Sequence, residues 1–207
     1  MSLSEFNLIE RYFTARGVRR ADVVLGVGDD CALLRVPPGM ELAVSIDALV
    51  EGRHYPQGTD AAAVGHKALA VGLSDLAAMG AEPAWATLAL CLPEVDESWL
   101  QGFADGLFSL AQRFHVQLVG GDTVRGPRVI TLQLHGFVPQ GAALRRDSAK
   151  DGDLIYITGT PGDAGFGLEL ALGRRSVTGA QADYLRARLE RPEPRIAAGR
   201  QLRGIAS

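Results

Sequence analysis

The sequence predicts an α/β (α+β) fold, a mixed sheet covered by helices, followed by an incomplete second α/β unit. Three observations carry this. Apolar runs of strand length recur through the first 140 residues, and two longer segments, 60–79 and 96–114, have the composition or spacing of helices. After Pro139 the composition changes, with Gly141, Ala142 and Ala143 followed by the charged run Arg145, Arg146 and Asp147. A domain boundary is therefore expected there, dividing the chain into 1–140 and 141–207.

Taken in order, Ser2 to Arg16 reads as a helix. Ser2 and Glu5 have capping-box spacing, Phe6, Ile9 and Phe13 share a face, and Gly17 supplies a stop. Val23–Val27 and Ala32–Val36 read as short strands around a GDD turn, and Leu42–Ile46 as a further strand. Asp60–Met79 is rich in Ala and Leu with few breakers, which favours a long helix. Ala84–Leu92 is a strand bounded by Pro83 and Pro93. Asp96–Phe114 is helical, with Trp99, Phe103, Leu107, Leu110 and Phe114 at steps of three and four. Val116–Val119 and Val129–Val138 complete the strands of the first unit. Beyond the boundary, a strand is expected at Leu154–Thr158, then a Gly-rich turn (GTPGDAGFG) into a helix, then helices near Gln181–Arg191 and Arg195–Arg203. One strand in some sixty residues is a poor independent core, so this second unit reads as incomplete.

Composition bounds the function. A chain of 207 residues with 47% hydrophobic and 22% charged residues is an ordinary globular protein, and a net charge of -3 gives no sign of a nucleic-acid or membrane partner. Two cysteines, Cys31 and Cys91, are too few for a disulfide framework and wrongly spaced for zinc. They read as reduced, in a cytoplasmic protein. No signal-peptide pattern and no charge-free run of about twenty residues is present, so neither export nor membrane spanning is expected.

The chemistry-bearing pattern is repetition: an apolar run that ends in Gly or Ser and then Asp. It occurs in VVLGVGDDCA (Asp29, Asp30), LAVSID (Ser45, Ile46, Asp47), LAVGLSD (Asp75) and VQLVGGDT (Gly120, Gly121, Asp122). If the runs are core elements, their ends bring carboxylates to the rim of the core. Five such groups at one place repel strongly unless cations lie between them, and Mg²⁺ beside a nucleotide is the commonest arrangement. Asp75 is the most informative residue, because Val71 and Met79, its helical neighbours at four residues, cannot neutralise it. A hydrogen-bonded or exposed Asp is the alternative. Asp29 and Asp30 could equally be turn residues, and Asp47 could cap a turn. Gly120 and Gly121 resemble a loop whose backbone N–H groups reach an anion. His54 could donate to a phosphate or substrate ring or simply face solvent, Lys67 could balance the acidic cluster, and Arg145 with Arg146 could form an anion-binding fork. No Walker-type or kinase HRD/DFG set is present, so phosphoryl transfer would need another architecture.

GVGDDCA, SIDALVEGRHY, VGHKALAVGLSDLAAMGAEP, LVGGDT, RRDSAKDGDLIYITGTPGDAGFGLEL and RPEPR together resemble the thiamine-monophosphate kinase family. That family belongs to a superfamily including aminoimidazole ribonucleotide synthetase, selenophosphate synthetase and a hydrogenase maturation factor. The resemblance implies ATP-dependent, Mg²⁺-assisted phosphorylation of thiamine phosphate to thiamine diphosphate. It makes Asp30, Asp47, Asp75 and Asp122 metal ligands with Ser45 and the Ile46 backbone, and Asp29 a further candidate. Gly120, Gly121, Asp122 and Arg146 would hold the nucleotide, and His54 would contact thiamine phosphate. It also implies a homodimer whose N-terminal sheets pair into a barrel, 1–140 being the ATP- and Mg²⁺-binding and dimerisation domain. The chain departs from the family in having Ala104 where relatives carry an aromatic near adenine, and in stopping before an ISDG-type motif. It is therefore expected to be a fragment with little activity alone. Another ATP-dependent synthetase of the superfamily, or a non-catalytic dimerising nucleotide-binding module, is the alternative.

Overall fold

The computed structural model describes residues 5–14 and 16–206. The expected helix start at Ser2 lies outside them. Within them, α1 (Glu5–Ile9) runs into a wider π-type turn over Glu10–Thr14, so the N-terminal segment is not one regular α-helix.

Two small strands, β1 (Val23–Leu25) and β2 (Leu33–Leu34), pair across the GDD turn. The main sheet contains β3 (Met40–Val50), β4 (Glu82–Leu92), β5 (Gln117–Arg125) and β6 (Val129–Pro139) in the order β3-β6-β4-β5. It is mixed: β4 and β5 are parallel, joined through helix α3 (Glu97–Arg113), and the other pairs are antiparallel. Helix α2 (Ala61–Ala78) links β3 to β4. Asp60 caps it by accepting from the Ala63 N–H, and Asp96 caps α3 through the Ser98 and Trp99 N–H groups.

Both strands expected to end at an aspartate continue past it. β3 runs on to Val50, so Asp47 is inside the strand, opposite Leu132 of β6. β5 runs on to Arg125, so Gly120, Gly121 and Asp122 belong to the strand and not to a loop. Packing explains the second case. A Cβ on Gly121 would lie 2.0 Å from the Leu88 carbonyl oxygen, so glycine here serves the contact between strands. Gly120 has open space around it.

Helices α2 and α3 cover the sheet and meet almost backbone to backbone. A Cβ on Gly65 would sit 2.0 Å from the Phe103 carbonyl oxygen, and one on Gly106 would sit 1.9 Å from that of Ala62. Leu69, Leu73, Leu76, Phe103, Leu107 and Leu110 fill the layer between helices and strands. Ala104 is fully buried there and lines neither of the two cavities described below.

The other sheet face is only half covered. The β1–β2 hairpin lies over Trp85, Val119 and Phe137, with Asp22 accepting from the Trp85 indole N–H at 2.9 Å. Burial opposes the charged form of Asp22, but hydrogen bonds from Arg20 and Trp85 outweigh it and hold the carboxyl below its usual range. Toward β3, Leu42, Val44 and Ile46 remain exposed, Ile46 to 62%.

After Pro139 the chain packs back onto the first unit. Helices α4 (Asp163–Ala171) and α5 (Ala180–Glu190) share a small cluster of Leu170, Ala182 and Leu185. Helix α6 (Ile196–Leu202) adds Ile196 to the main core, and Gly199 lets it reach the end of α2, where a Cβ would lie 2.0 Å from the Ala77 carbonyl oxygen. The strand expected at Leu154–Thr158 is absent. Leu154, Ile155, Tyr156 and Ile157 are 69–93% exposed, and no described strand lies alongside to complete a ladder.

His66 of α2, given no role by the sequence, bonds through Nε2 to the Pro192 carbonyl at 2.9 Å and fastens the α5–α6 connection. Arg113–Glu193 and Arg191–Asp60 ion pairs flank it. Burial, chiefly, pushes the His66 pKa down; Arg191 and Arg113 add to this, while the Pro192 bond and Glu193 oppose it. The folded protein thus disfavours the charged ring more than the unfolded chain does. Its contribution is fully present above the unfolded value of about 6.5 and is lost as pH falls through the lower folded value. His66→Gln is expected to flatten the dependence of urea midpoint on pH below about 6.5.

Candidate phosphate and cation site

The sequence-derived residues fall into two groups at opposite edges of the sheet. At the β5 edge, Asp29, Asp30, Gly120, Gly121 and Asp122 line a cavity of about 380 Å³. Its floor is apolar, made by Ile9 and Phe13 of the N-terminal segment with Val27, Leu88 and Leu118. The positive φ of Gly28 (122°) turns the chain into the GDD segment, and the Asp29 carboxylate accepts from the Asp30 N–H at 2.8 Å. Turn-making and cavity lining are both served by this pair.

At the β3 edge, Ser45 and Asp75 line a larger cavity of about 810 Å³ whose lining also includes Arg145 and Arg146. Period-two alternation puts Ser45 and Asp47 on the same strand face, toward α2. There the Ser45 hydroxyl donates to Asp75 Oδ2 at 2.5 Å, and Asp75 is solvent-exposed, so its carboxylate is hydrogen-bonded and hydrated rather than stranded in apolar surroundings, as the alternative reading had it. Burial raises the Asp47 pKa first and the negative charge of Asp75 raises it further, against a lowering effect of His54. An excess of negative charge therefore sits where Asp47, Asp75 and Ser45 present hard oxygen donors, the set that suits Mg²⁺. As an edge strand, β3 also leaves every second backbone carbonyl outside the ladder, the kind of group Ile46 would contribute.

The expected meeting of Asp30, Asp47, Asp75 and Asp122 at one point is not realised within the chain. β3 and β5 are separated by β6 and β4, three strand spacings or roughly 14 Å. Among the described residues, no group of three or more His, Cys, Asp or Glu gathers closely enough to hold a metal ion.

His54 occupies an exposed turn after β3, and its Nδ1 accepts from the Val50 N–H at 3.0 Å. The ring proton of the neutral form is therefore on Nε2, free to donate. Lys67 does not balance the carboxylates. Its ammonium donates to the His54 carbonyl at 3.2 Å, fixing the turn, and burial lowers its pKa against an opposing effect of Glu190. Tyr55 beside it has a pKa pushed up to about 12, by burial and then Glu51 with Arg128 opposing, so it stays protonated. Two features escaped sequence reading: the apolar floor from Ile9 and Phe13, and Arg195, which lines the larger cavity from the RPEPR segment. The only available signal for Arg195 was a charged residue between proline and an apolar run.

Neither cavity is lined by Cys, Lys or His among the described residues. What fold and site define is an α/β domain whose two cavities are lined by backbone, carboxylate, hydroxyl and guanidinium groups. The chain belongs to the AIR synthase related protein family, whose N-terminal domain matches residues 28–138. It is 55% identical to thiamine-monophosphate kinase of Escherichia coli (strain K12) and 42% identical to that of Haemophilus influenzae, in each case over 100% of its own length. It spans 64% and 63% of those relatives. Among solved structures, thiamine-monophosphate kinase from Stenotrophomonas maltophilia K279a superposes with a TM-score of 0.85 at 49% identity, covering 99% of this chain and 66% of that one. AaThiL complexed with AMPPCP and TMP superposes with a TM-score of 0.76 at 30% identity, covering 82% and 55%.

Proposed function

We propose that this chain is the ATP- and Mg²⁺-handling part of a thiamine-phosphate kinase, which phosphorylates thiamine phosphate to thiamine diphosphate. One observation carries most weight: a single cavity is lined both by the Ser45–Asp75 pair and by Arg146, so a cation-attracting and a phosphate-attracting group meet in one place, as two like-charged phosphate substrates require. The relatives' names and the AMPPCP and TMP complex of AaThiL support the same reading.

In this reading Asp47, Asp75, Ser45 and the Ile46 backbone would contribute Mg²⁺ ligands from the β3 edge, and Asp29, Asp30 and Asp122 from the β5 edge, neither set gathering closely enough within one chain to hold an ion by itself. The ions supply charge neutralisation between the acceptor phosphate and the triphosphate. The chain's own groups do the rest. Gly120 and Gly121 expose β5 backbone to the phosphates, Arg146 pairs with phosphate oxygens, and His54 donates from Nε2 to thiamine phosphate. Positioning and electrostatic stabilisation account for catalysis without a protein nucleophile.

The chain acts as a homodimer in this reading, 1–140 being the dimerising domain and 141–207 the beginning of a second. The exposed Leu42, Val44 and Ile46 and the two open sheet edges favour such pairing, which would bring β3 and β5 edges of different copies within reach. A cytoplasmic location suits the two free cysteines, Cys31 and Cys91. No helix among the described residues is long and apolar enough to cross a membrane.

The test is to incubate this chain, and a polypeptide of the relatives' full length, with ATP and thiamine phosphate, with and without Mg²⁺. Thiamine diphosphate is followed by chromatography and oligomeric state by sedimentation. Mg²⁺-dependent product from the longer form is expected; its absence there overturns the reading.

A further inference from the structure

We infer that Arg195 binds a phosphoryl anion in the larger cavity and sets its preference for phosphorylated ligands; this rests on the kinase reading of that cavity. The charge balance of the walls is the starting point. Arg145 is paired with Asp147 at 2.7 Å, and Glu193 with Arg113 at 2.7 Å. Asp75 is engaged by Ser45. Arg146 and Arg195 remain, and among the described residues neither has an ion-pair partner. Two guanidiniums without an ion-pair partner therefore line one cavity against a single carboxylate without one, Asp75, whose charge the Ser45 hydroxyl does not cancel, so cationic groups remain in excess. Planar guanidinium forks match phosphate oxygens, and two of them converging complement a group of more than one negative charge.

The position of Arg195 is built. It precedes α6, which Gly199 seats against the Ala77 carbonyl and Ile196 anchors in the core. On its N-terminal side, His66 holds Pro192 and Arg113 holds Glu193. The glycine turn of GTPGD comes up to it: a Cβ on Gly159, whose φ is +84°, would lie 3.7 Å from the Arg195 guanidinium. Thr158 of that turn also lines the cavity. Backbone and side chains thus fix an otherwise exposed arginine at a cavity wall, where leaving it unpaired serves no packing purpose.

The phosphoryl group could come from the nucleotide chain or from thiamine phosphate, so the probes separate them. Calorimetric titrations of wild type, Arg195→Ala and Arg195→Lys would use ATP, inorganic tripolyphosphate, thiamine phosphate, adenosine and thiamine. Arg195→Ala is expected to weaken ATP and tripolyphosphate binding about ten- to a hundredfold, with adenosine and thiamine unaffected. Arg195→Lys should recover part of the loss, and the thermal midpoint should hold in both variants, since Arg195 is exposed. Loss confined to thiamine phosphate supports the same residue acting on the acceptor. Unchanged affinity for all phosphorylated probes, or equal loss for adenosine and thiamine, overturns the inference while leaving the kinase reading intact. A wild type that binds none of the probes overturns both.

Discussion

Asp75→Asn, introduced into a chain of the relatives' full length, is expected to lower kcat by ~10²-fold or more with little change in thermal midpoint. The substitution is nearly isosteric. Asn keeps an oxygen to accept the Ser45 hydroxyl, so the contact between α2 and β3 survives. What disappears is the negative charge that raises the Asp47 pKa and, in the proposed function, draws Mg²⁺ to the pair. Steady-state kinetics against Mg²⁺ concentration checks this, with circular dichroism melting as the control. Near-normal turnover would remove Asp75 from the site. Ser45→Ala gives the complementary measurement and should cost less, because it removes a donor and leaves both carboxylates.

Gly106→Ala is expected to have the largest effect on stability. Its Cβ would stand 1.9 Å from the Ala62 carbonyl oxygen and 2.8 Å from the Ala62 Cα, so only movement of whole helices can accommodate it. Gly65 sits at the reciprocal position, against the Phe103 carbonyl, which blocks the simplest relaxation. Separating α2 and α3 would also loosen Leu69, Leu73 and Leu107, all nearly fully buried. A loss of about 3 kcal/mol or more follows from overpacking of this kind, lowering the thermal midpoint by on the order of ten degrees. Gly28→Ala is the contrasting case. Nothing lies within 4 Å of its Cβ position, and only its positive φ resists the change. A melting curve for Gly106→Ala within a degree or two of wild type would show the helices free to part.

The helices were legible in the sequence because their signals are local. Asp60 and Asp96 cap α2 and α3 where the composition placed helix starts, and the spacing from Trp99 to Phe114 marks the buried face of α3. The candidate carboxylates were legible as a set, because Asp after Gly or Ser at the end of an apolar run is also a local pattern. Their positions within strands were not. Asp47 and Asp122 looked like strand ends because Asp and Gly are themselves poor strand formers, whereas the ladder continues through them to Val50 and Arg125 because partner strands decide where it stops. The split into two groups was also hidden, since strand order is a property of the whole chain. In the other direction, Leu154–Ile157 has ample β propensity and still forms no strand, as propensity without a neighbouring backbone leaves the N–H and C=O groups unpaired. His66 and Arg195 depend on contacts across more than a hundred residues and on cavity shape, respectively, and neither leaves a short-range mark.

The embedding of Gly121 and Asp122 in β5 makes the orientation of the Asp122 carboxylate a matter of strand alignment. β5 is held on one side only, by β4, with Leu88 opposite Gly121 and Ala89 opposite Asp122. A slip of one residue would turn the Asp122 carboxylate through the sheet to the opposite surface and drive a side chain into the Leu88 carbonyl. The glycine that keeps the two strands close is thereby also a lock on the aim of its neighbour, and a side chain there would disturb the direction in which Asp122 meets the β5-edge cavity.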